Sequence, residues 1–449
     1  MPVILATDAL VWLLVAAVVA FAIYCRRQPH LAAPWSRVFS SRAAIASLVV
    51  LACYAVVGLV DSIHYRPALE PKAGAKGAVY STEVLSLLDA ALGRIRGRSE
   101  KTYSTPLATR SYAKEQVELP DGKQAREFPR LRYGGAHLAN EEDALRDIFA
   151  TVGLGLLGAA VGAVLIGLLV RRLERRRPGV PWRAAGATLL VILALALPAL
   201  LLTRHYHVLG TDKVGQDVLY LALKSIRTSL VIGTVTTLVL LPLGIALGIM
   251  AGYFKGWVDD VIQYLYTTLN SIPGVLLIAA FVLMLQVLIE RNAELFPTAA
   301  QRADMRLLGL CAILGLTSWT GLARLLRGES LKLSQLEYIQ AAQAFGVRNA
   351  RILGRHILPN VTHIVIIALV MDFSGLVLAE AVLSYVGVGV DPSTTSFGTM
   401  INAARLEMGR EPIIWWSLAA AFVFMFLLVL AANLFADAVR DGFDPRVRV

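Results

Sequence analysis

The stretch ARLLRGESLKLSQLEYIQAAQAFGVRNARILGRHILPNV, residues 323–361, decides how the rest of the chain is read. Up to Phe345 it spaces Leu325, Leu326, Leu331 and Leu336 among polar residues, which predicts a helix. Gly346 supplies the φ > 0 that ends a helix, and a second short helix is predicted from about Asn349, stopping before Pro359. The residues from 324 to 356 carry Arg324, Arg327, Lys332, Arg348, Arg351 and Arg355 against Glu329 and Glu337, between two long apolar runs. A basic helix–glycine–helix element with no ligand chemistry of its own is shaped to enter a groove on another protein.

Outward from that segment the chain is mostly membrane. Its 449 residues are 57% apolar or aromatic and 17% charged, where an ordinary soluble domain has about 45–50% and about 25%. With a mean hydropathy of +0.63, a disordered chain, a disulfide scaffold and a fibrous repeat are excluded. Nine runs approach the roughly 20 apolar residues that a bilayer requires: 8–25, 43–61, 148–170, 184–203, 226–252, 260–289, 306–323, 361–388 and 412–437. The first opens on Asp8 and is followed by Arg26 and Arg27, the charge order of an uncleaved anchor with its N-terminus outside. Arginines then fall on one face: four in 26–42, six in 171–183 against Glu174, the 324–356 segment, and three in the tail from Arg440. That agreement predicts an outside N-terminus and a cytoplasmic C-terminus. It also resolves the net charge of +11 (43 Lys+Arg minus 32 Asp+Glu) into topology rather than a nucleic-acid surface.

Residues 62–147 form a polar insert with 14 Lys/Arg and 12 Asp/Glu, expected outside as a small α+β or irregular domain. Val84, Leu85, Leu88, Leu92 and Ile95 predict a helix over 81–96 capped by Ser81 or Thr82; Pro106, Pro120, Asp121-Gly122 and Pro129 read as turns. Gly158/Gly162 and Gly244/Gly248/Gly252 set small residues four apart, the spacing of close helix packing. Among the apolar runs, Asp372, Glu380, Asn433 and Asp437 are the polar groups of note; intramembrane carboxylates face a bundle interior or an aqueous path, and Asp437 is near enough to an end to be a boundary residue. His205 and His207, near Asp212, read as polar boundary residues rather than metal ligands. Cys25, Cys53 and Cys311 lie in apolar runs with no CxxC, so neither a disulfide nor a metal framework is expected. The chain has no GxxxxGK[ST] phosphate loop, no HExxH and no GxSxG elbow.

Ala341-Ala342, Gly346 and then Ile357-Leu358-Pro359 resemble the "EAA" coupling loop of bacterial ABC importer permeases. Further landmarks make the chain similar to the C-type permease of dipeptide/oligopeptide importers, a binding-protein-dependent transport inner-membrane component. They are LGTDKVGQDVL (209–219), SIRTSLVIG (225–233), AGYFKGWVDD (251–260), SIPGVLL (271–277), GLARLLRGE (321–329), AEAVLSYVGVGV (379–390) and NLFADAVRDGFDPR (433–446). The resemblance covers about 205–446.

It implies an all-α polytopic membrane protein with a type I ABC importer permease core over 184–449 and a coupling segment at 324–360. The remainder divides into an N-terminal extension with two spans (1–61), the insert (62–147), and a third span with an Arg-rich cytoplasmic loop (148–183). The implied function is half of a peptide translocation pathway in an inner (cytoplasmic) membrane. Implied partners are a homologous B-type permease, two ATPase subunits, a periplasmic substrate-binding protein and the lipid bilayer, with no nucleic acid. The chain itself is expected to be non-catalytic and to bind no cofactor, ATP and Mg belonging to the partner ATPases. The resemblance assigns ATPase coupling to Gln340, Ala341, Ala342, Gly346, Arg348, Ile357, Leu358 and Pro359. It assigns the external loop, placed to meet a binding protein or cap the pathway, to Gly210, Thr211, Asp212, Gly215 and Asp217. Asp372 and the family-matched Glu380 are candidates to line the path or to hydrogen-bond between helices.

The chain departs from the family pattern at Gln340, where Glu usually opens the triplet, and at Gln216, where an arginine usually stands. The three spans and insert before residue 184 have no counterpart in it. Nickel chelates, opines or another small solute are alternative cargoes. A stand-alone secondary transporter would need internal inverted repeats, and none is visible. A membrane enzyme or sensor built on the insert would need a nucleophile–base constellation, and none is visible there either.

Overall fold

The computed structural model describes residues 1–69, 79–118, 124–409 and 412–443. A two-residue strand β1 (Pro2–Val3) leads into α1 (Ala6–Arg27), α2 (Pro29–Val38) and α3 (Arg42–Asp61). The insert follows as β2 (His64–Tyr65), β3 (Ala68–Leu69), β4 (Val79–Tyr80), β5 (Leu85–Ser86), α4 (Leu87–Ala91), α5 (Gly93–Arg96), β6 (Glu115–Glu118) and β7 (Gln124–Glu127). Then come α6 (Ala144–Arg176), α7 (Trp182–Leu202), α8 (Val218–Phe254), α9 (Gly256–Ser271), α10 (Gly274–Arg291) and α11 (Ala299–Leu333). The chain ends with α12 (Glu337–Ala344), α13 (Asn349–Ile352), a π-helical turn Leu353–Ile357, α14 (Leu358–Val386), α15 (Phe397–Glu407) and α16 (Trp416–Phe443). Among the described residues nine helices are long and apolar enough to cross a membrane, one for each expected run.

The chain divides into two compact units. The first comprises Met1–Ile4, Ser36–Thr228 and Thr394–Phe435. Here α6 and α7 pair closely: a Cβ on Gly155 would lie 2.6 Å from Pro198 Cα, and one on Gly162 would lie 2.4 Å from Leu193 Cδ2. The Tyr54 hydroxyl of α3 donates to Phe424 O of α16 at 2.8 Å. The insert adds antiparallel ribbons, with β1–β2–β5 in one sheet and β3–β4 and β6–β7 in two others. Leu88, Leu92 and Ile95 of the insert pack on Val57, Val60, Tyr220 and Leu223.

The second unit comprises Leu5–Trp35, Ser229–Ser393 and Ala436–Val449. One of its cores joins Val231, Ile232, Val235, Leu307, Leu310 and Leu314. Leu10 and Val11 of α1 lie against that core, and Thr7 N donates to Asp304 Oδ2 at 3.2 Å. The other core gathers Leu240, Trp319, Leu326, Ile339, Ile352, Ile357 and Val361. The glycine series Gly244, Gly248 and Gly252 faces α11: a Cβ at Gly248 would lie 2.7 Å from Ala323 O, and one at Gly252 would lie 2.4 Å from Arg327 O.

Four expectations need correction. The run 260–289 is two helices, broken where Ile272 is extended (φ −87°, ψ 129°) before Pro273, which offers no N–H to continue the ladder. The helix expected from 323 to Phe345 breaks after Leu333, because Leu336 is extended (φ −71°, ψ 138°) and turns Ile339 into the core. The helix that enters α14 does not stop before Pro359. The π-helical turn shifts the hydrogen bonding so that proline falls in the first turn of α14. In the insert, Ser86 rather than Ser81 or Thr82 caps the helix, through a reciprocal box with Asp89, and Leu85–Ser86 is a strand. The expected turns at Pro120 and Asp121-Gly122 lie outside the described residues.

Candidate functional site

The 324–360 segment is built as an anchored tongue. Ile339, Ile352 and Ile357 are buried in the same core as Leu326 of α11 and Val361 of α14. Tyr253 of α8 donates its hydroxyl to Asn349 Oδ1 at 2.9 Å, and Asn360 Nδ2 donates to the Tyr338 hydroxyl at 3.1 Å. Close by, Arg327 grips Asp259 with two parallel bonds of 2.6 and 2.7 Å, a pair the sequence reading did not single out. Between α12 and α13, Gly346 has φ +70°, and Val347 N closes back on Ala342 O at 3.0 Å. That i+5 closure with a left-handed residue is a helix stop that only glycine takes without strain.

The opposite face of the tongue points away from the core. Phe345 is 88% exposed, and Gln340, Ala341, Arg348, Leu358 and Pro359 are exposed beside it, whereas Ala342 is half-buried and Ile357 buried. A large aromatic left in the open next to small alanines fits a preformed recess on a partner. Gln340 Nε2 donates to Gln335 O at 3.2 Å, a bond that a carboxylate in this position could not donate.

The outer loop between α7 and α8 has a different character. Thr211 is fully buried: its Oγ1 donates to Thr102 O at 2.9 Å and accepts from Ser104 N at 2.7 Å. Asp212 Oδ1 accepts from Val214 N and Gln216 N, holding the tip in a turn. Burial pushes the Asp212 carboxyl above its usual value, against the pull of those backbone donors. Asp217 caps α8 through Leu219 N at 2.9 Å and accepts His207 Nδ1 at 2.9 Å. Gly215, at φ +78°, lets the Glu100 backbone pass where a Cβ would sit 1.9 Å from Glu100 O; Gly210 is likewise left-handed at +73°. The insert therefore lies directly on this loop, and at its tip Lys213, Val214 and Gln216 remain exposed.

His207 corrects the sequence reading. It is not a boundary residue: it is 3% exposed and lies between Asp217 and Glu100, with Nε2 3.4 Å from Glu100 Oε1. Burial disfavours its charged form, yet the two carboxylates outweigh burial and hold its pKa up at about 9. Burial likewise works against the Glu100 carboxylate, but His207 and the backbone N–H groups of Arg132 and Tyr133 leave it below its usual value. His205 is occupied separately, its ring 4.2 Å from that of His137. A second link joins the insert to α8, where Lys224 Nζ lies 2.7 Å from Asp61 Oδ1 and 3.1 Å from Asp89 Oδ1. No local sequence pattern marks either link, since each joins residues more than 100 positions apart.

The two intramembrane carboxylates differ. Glu380 is wholly buried and accepts the Ser384 hydroxyl at 2.7 Å, and that hydroxyl also receives Val390 N at 3.4 Å. It braces the turn after α14, where Gly387 is left-handed at +87°. Asp372 is half-buried and has no hydrogen-bond or ion-pair partner among the described residues.

A family model described as "Binding-protein-dependent transport system inner membrane component" matches residues 244–449. The glutathione transport system permease protein GsiD of Pectobacterium atrosepticum is 33% identical over 244 residues, which is 54% of this chain and 73% of that protein. The oligopeptide transport system permease protein OppC of Mycobacterium tuberculosis is 31% identical over 297 residues, 63% of this chain and 94% of its own length. The dipeptide transport system permease protein DppC of Lactococcus lactis is 29% identical over 240 residues, 54% and 64% of the two chains.

Proposed function

Because the chain belongs to the family of binding-protein-dependent transport inner-membrane components, we propose that it is the permease subunit of an ATP-driven peptide importer and forms half of its pathway. A homologous permease supplies the other half, two ATPase subunits bind ATP and Mg, and an external binding protein delivers cargo. The peptide cargo follows from the oligopeptide, dipeptide and glutathione systems to which its relatives belong.

The observation that carries this reading is the tongue at 324–360, with its isoleucines locked into a core and Phe345 left bare. An ATPase groove that captures Phe345 and the Gln340-Ala341-Ala342 face moves a rigid element. Through Leu326 and Val361 that motion reaches α11 and α14, so ATP-driven closure in another chain tilts two spans of this one. Residues 184–449 act as the permease core, and 1–183 are an addition whose insert shields the loop 203–217. The insert and the loop tip at Lys213–Val214 are the surfaces offered to the binding protein. Asp372, without a partner among the described residues, is suited to receive the ammonium group of a passing peptide.

The test is to purify the chain with its genomic neighbours and compare it with Gly346→Val. Open space surrounds Gly346, so the variant carries only the strain of a β-branched residue at φ +70°, about 1–2 kcal/mol. The expected result is an assembled complex whose binding-protein-stimulated ATP hydrolysis falls about tenfold, equivalent to about 1.4 kcal/mol of coupling. Undiminished stimulation, or a wild-type chain that co-purifies with no ATPase, would sink the assignment.

A further inference from the structure

Helices α9 and α10 are separated at Ile272–Pro273, just before the apolar span Gly274–Arg291 and beside α11, where Asn270 Oδ1 receives the Thr320 hydroxyl at 3.3 Å. Thr317 and Ser318 lie within the apolar run 306–323 of that helix. A cavity of about 450 Å³ opens around the break. Asn270, Thr317 and Ser318 line it together with the apolar Val275, Ala379 and Leu383. The Asn270 amide nitrogen and the Ser318 hydroxyl have no hydrogen-bond partner among the described residues. Thr317 Oγ1 donates to Ile313 O at 2.9 Å and keeps lone pairs free to accept.

Hydrocarbon is a costly occupant for such a break. Interrupted backbone at membrane depth leaves the last carbonyls of one helix and the first N–H groups of the next without helical partners, and each such group costs several kcal/mol against lipid. Such a break persists where it is buried in protein or lines a watery cavity. This one lines a cavity of the volume that holds small ligands, and it adds side chains able both to donate and to accept.

We propose that this cavity is a station on the translocation path, where Asn270, Thr317, Ser318 and the open backbone at Ile272–Gly274 exchange hydrogen bonds with the main chain of a peptide in transit. The proposal rests on the peptide-importer reading. Main-chain amides present the same donors and acceptors whatever the side chains. A site that pairs with them and is otherwise lined by small and aliphatic groups passes many sequences with one set of contacts.

The experiment uses the full complex in lipid vesicles, with Cys25, Cys53 and Cys311 each replaced by alanine. The cationic, water-soluble thiol reagent MTSET is applied to Ser318→Cys and to Val164→Cys, the latter on an exposed apolar face of α6. A watery path predicts that Ser318→Cys reacts at least about 100-fold faster, because the reagent requires a thiolate in contact with water. In the native-cysteine complex, Asn270→Leu with Ser318→Ala is expected to lower uptake of a labelled mixture of di- to hexapeptides about tenfold. Binding-protein-stimulated ATP hydrolysis should change less than about twofold, which separates lost cargo contacts from lost folding or coupling. Wild-type uptake with Ser318→Cys as inert as Val164→Cys overturns the cavity alone. Fast labelling with undiminished uptake in the double variant overturns the main-chain contacts. Wild-type vesicles that hydrolyse ATP in response to binding protein but accumulate no peptide overturn this proposal together with the cargo reading.

Discussion

His207 shows how one side chain sets the conditions under which the insert stays docked. Its charged ring answers two buried carboxylates, Asp217 on its own loop and Glu100 on the insert. Since its folded pKa of about 9 lies above the usual 6.5, its stabilisation is complete below about 6.5 and lost as pH rises through about 9. Glu100 is shifted the other way, so its contribution is present above the usual carboxylate range and lost as pH falls through its lowered value. Docking is therefore firmest from weakly acidic to neutral pH. His207→Gln removes the cation and leaves two buried acids facing each other, a change of about 3–5 kcal/mol. Proteinase K should cut the insert of this variant more than about tenfold faster than wild type at pH 7, and the ratio should approach one at pH 10, where the wild-type ring is neutral. A ratio that does not vary with pH would show that His207 is neutral in the docked state. The family resemblance pointed to Thr211, Asp212, Gly215 and Asp217 because they fall within one contiguous motif, LGTDKVGQDVL. It could not name Glu100, whose role depends on a contact spanning 107 positions.

At the scale of elements, each expected hydrophobic run holds one of the nine helices that, among the described residues, are long and apolar enough to cross a bilayer, because its apolar width leaves little freedom in where such a helix lies. The interruptions were less legible. Pro273 and Gly274 stand in plain view, yet a proline inside an apolar run reads equally as a kink or a stop. The break after Leu333 carries no such marker and exists because Ile339 gains a buried place in the core. Glycine spacing was a better guide, as the α8 series lies against α11 with no room for a side chain. Gly248→Leu would drive into Ala323 O and Ala323 Cα, both within 3 Å of an added Cβ, at a cost of about 1–3 kcal/mol or more. Its expected signature is a fall in thermal midpoint of several degrees for the purified complex. Gly167→Leu on α6, where an added Cβ meets nothing within 4 Å, should leave the midpoint within about a degree. Equal effects from the two substitutions would mean that α8 and α11 do not rely on backbone contact.

For the molecule as a whole, the sheet β1–β2–β5 constrains topology in a way that the charge count alone does not. Pro2 pairs with Tyr65 and Val3 with His64, and the Met1 ammonium donates to Arg66 O at 2.9 Å. That pairing predicts the N-terminus and the insert on one side of the bilayer, with α1 and α3 as the crossings between them. The loops 26–42 and 171–183, each reached by one further crossing, are on the other, and both carry arginines with a single acid between them. Geometry supplies the parity, and the preference of arginine for the cytoplasmic face supplies the sign. The insert should then be external. Ser99 is an exposed position on it, and the native cysteines are buried or half-buried in apolar runs. A cysteine introduced as Ser99→Cys should react in intact cells with an impermeant maleimide, whereas Arg176→Cys should react only after the membrane is opened. Protection of Ser99→Cys with free labelling of Arg176→Cys would invert the whole chain, because the β1–β2 pairing ties the N-terminus to the insert. It would also place the tongue at 324–360 outside, away from any ATP, so the topology and the coupling assignment stand or fall together.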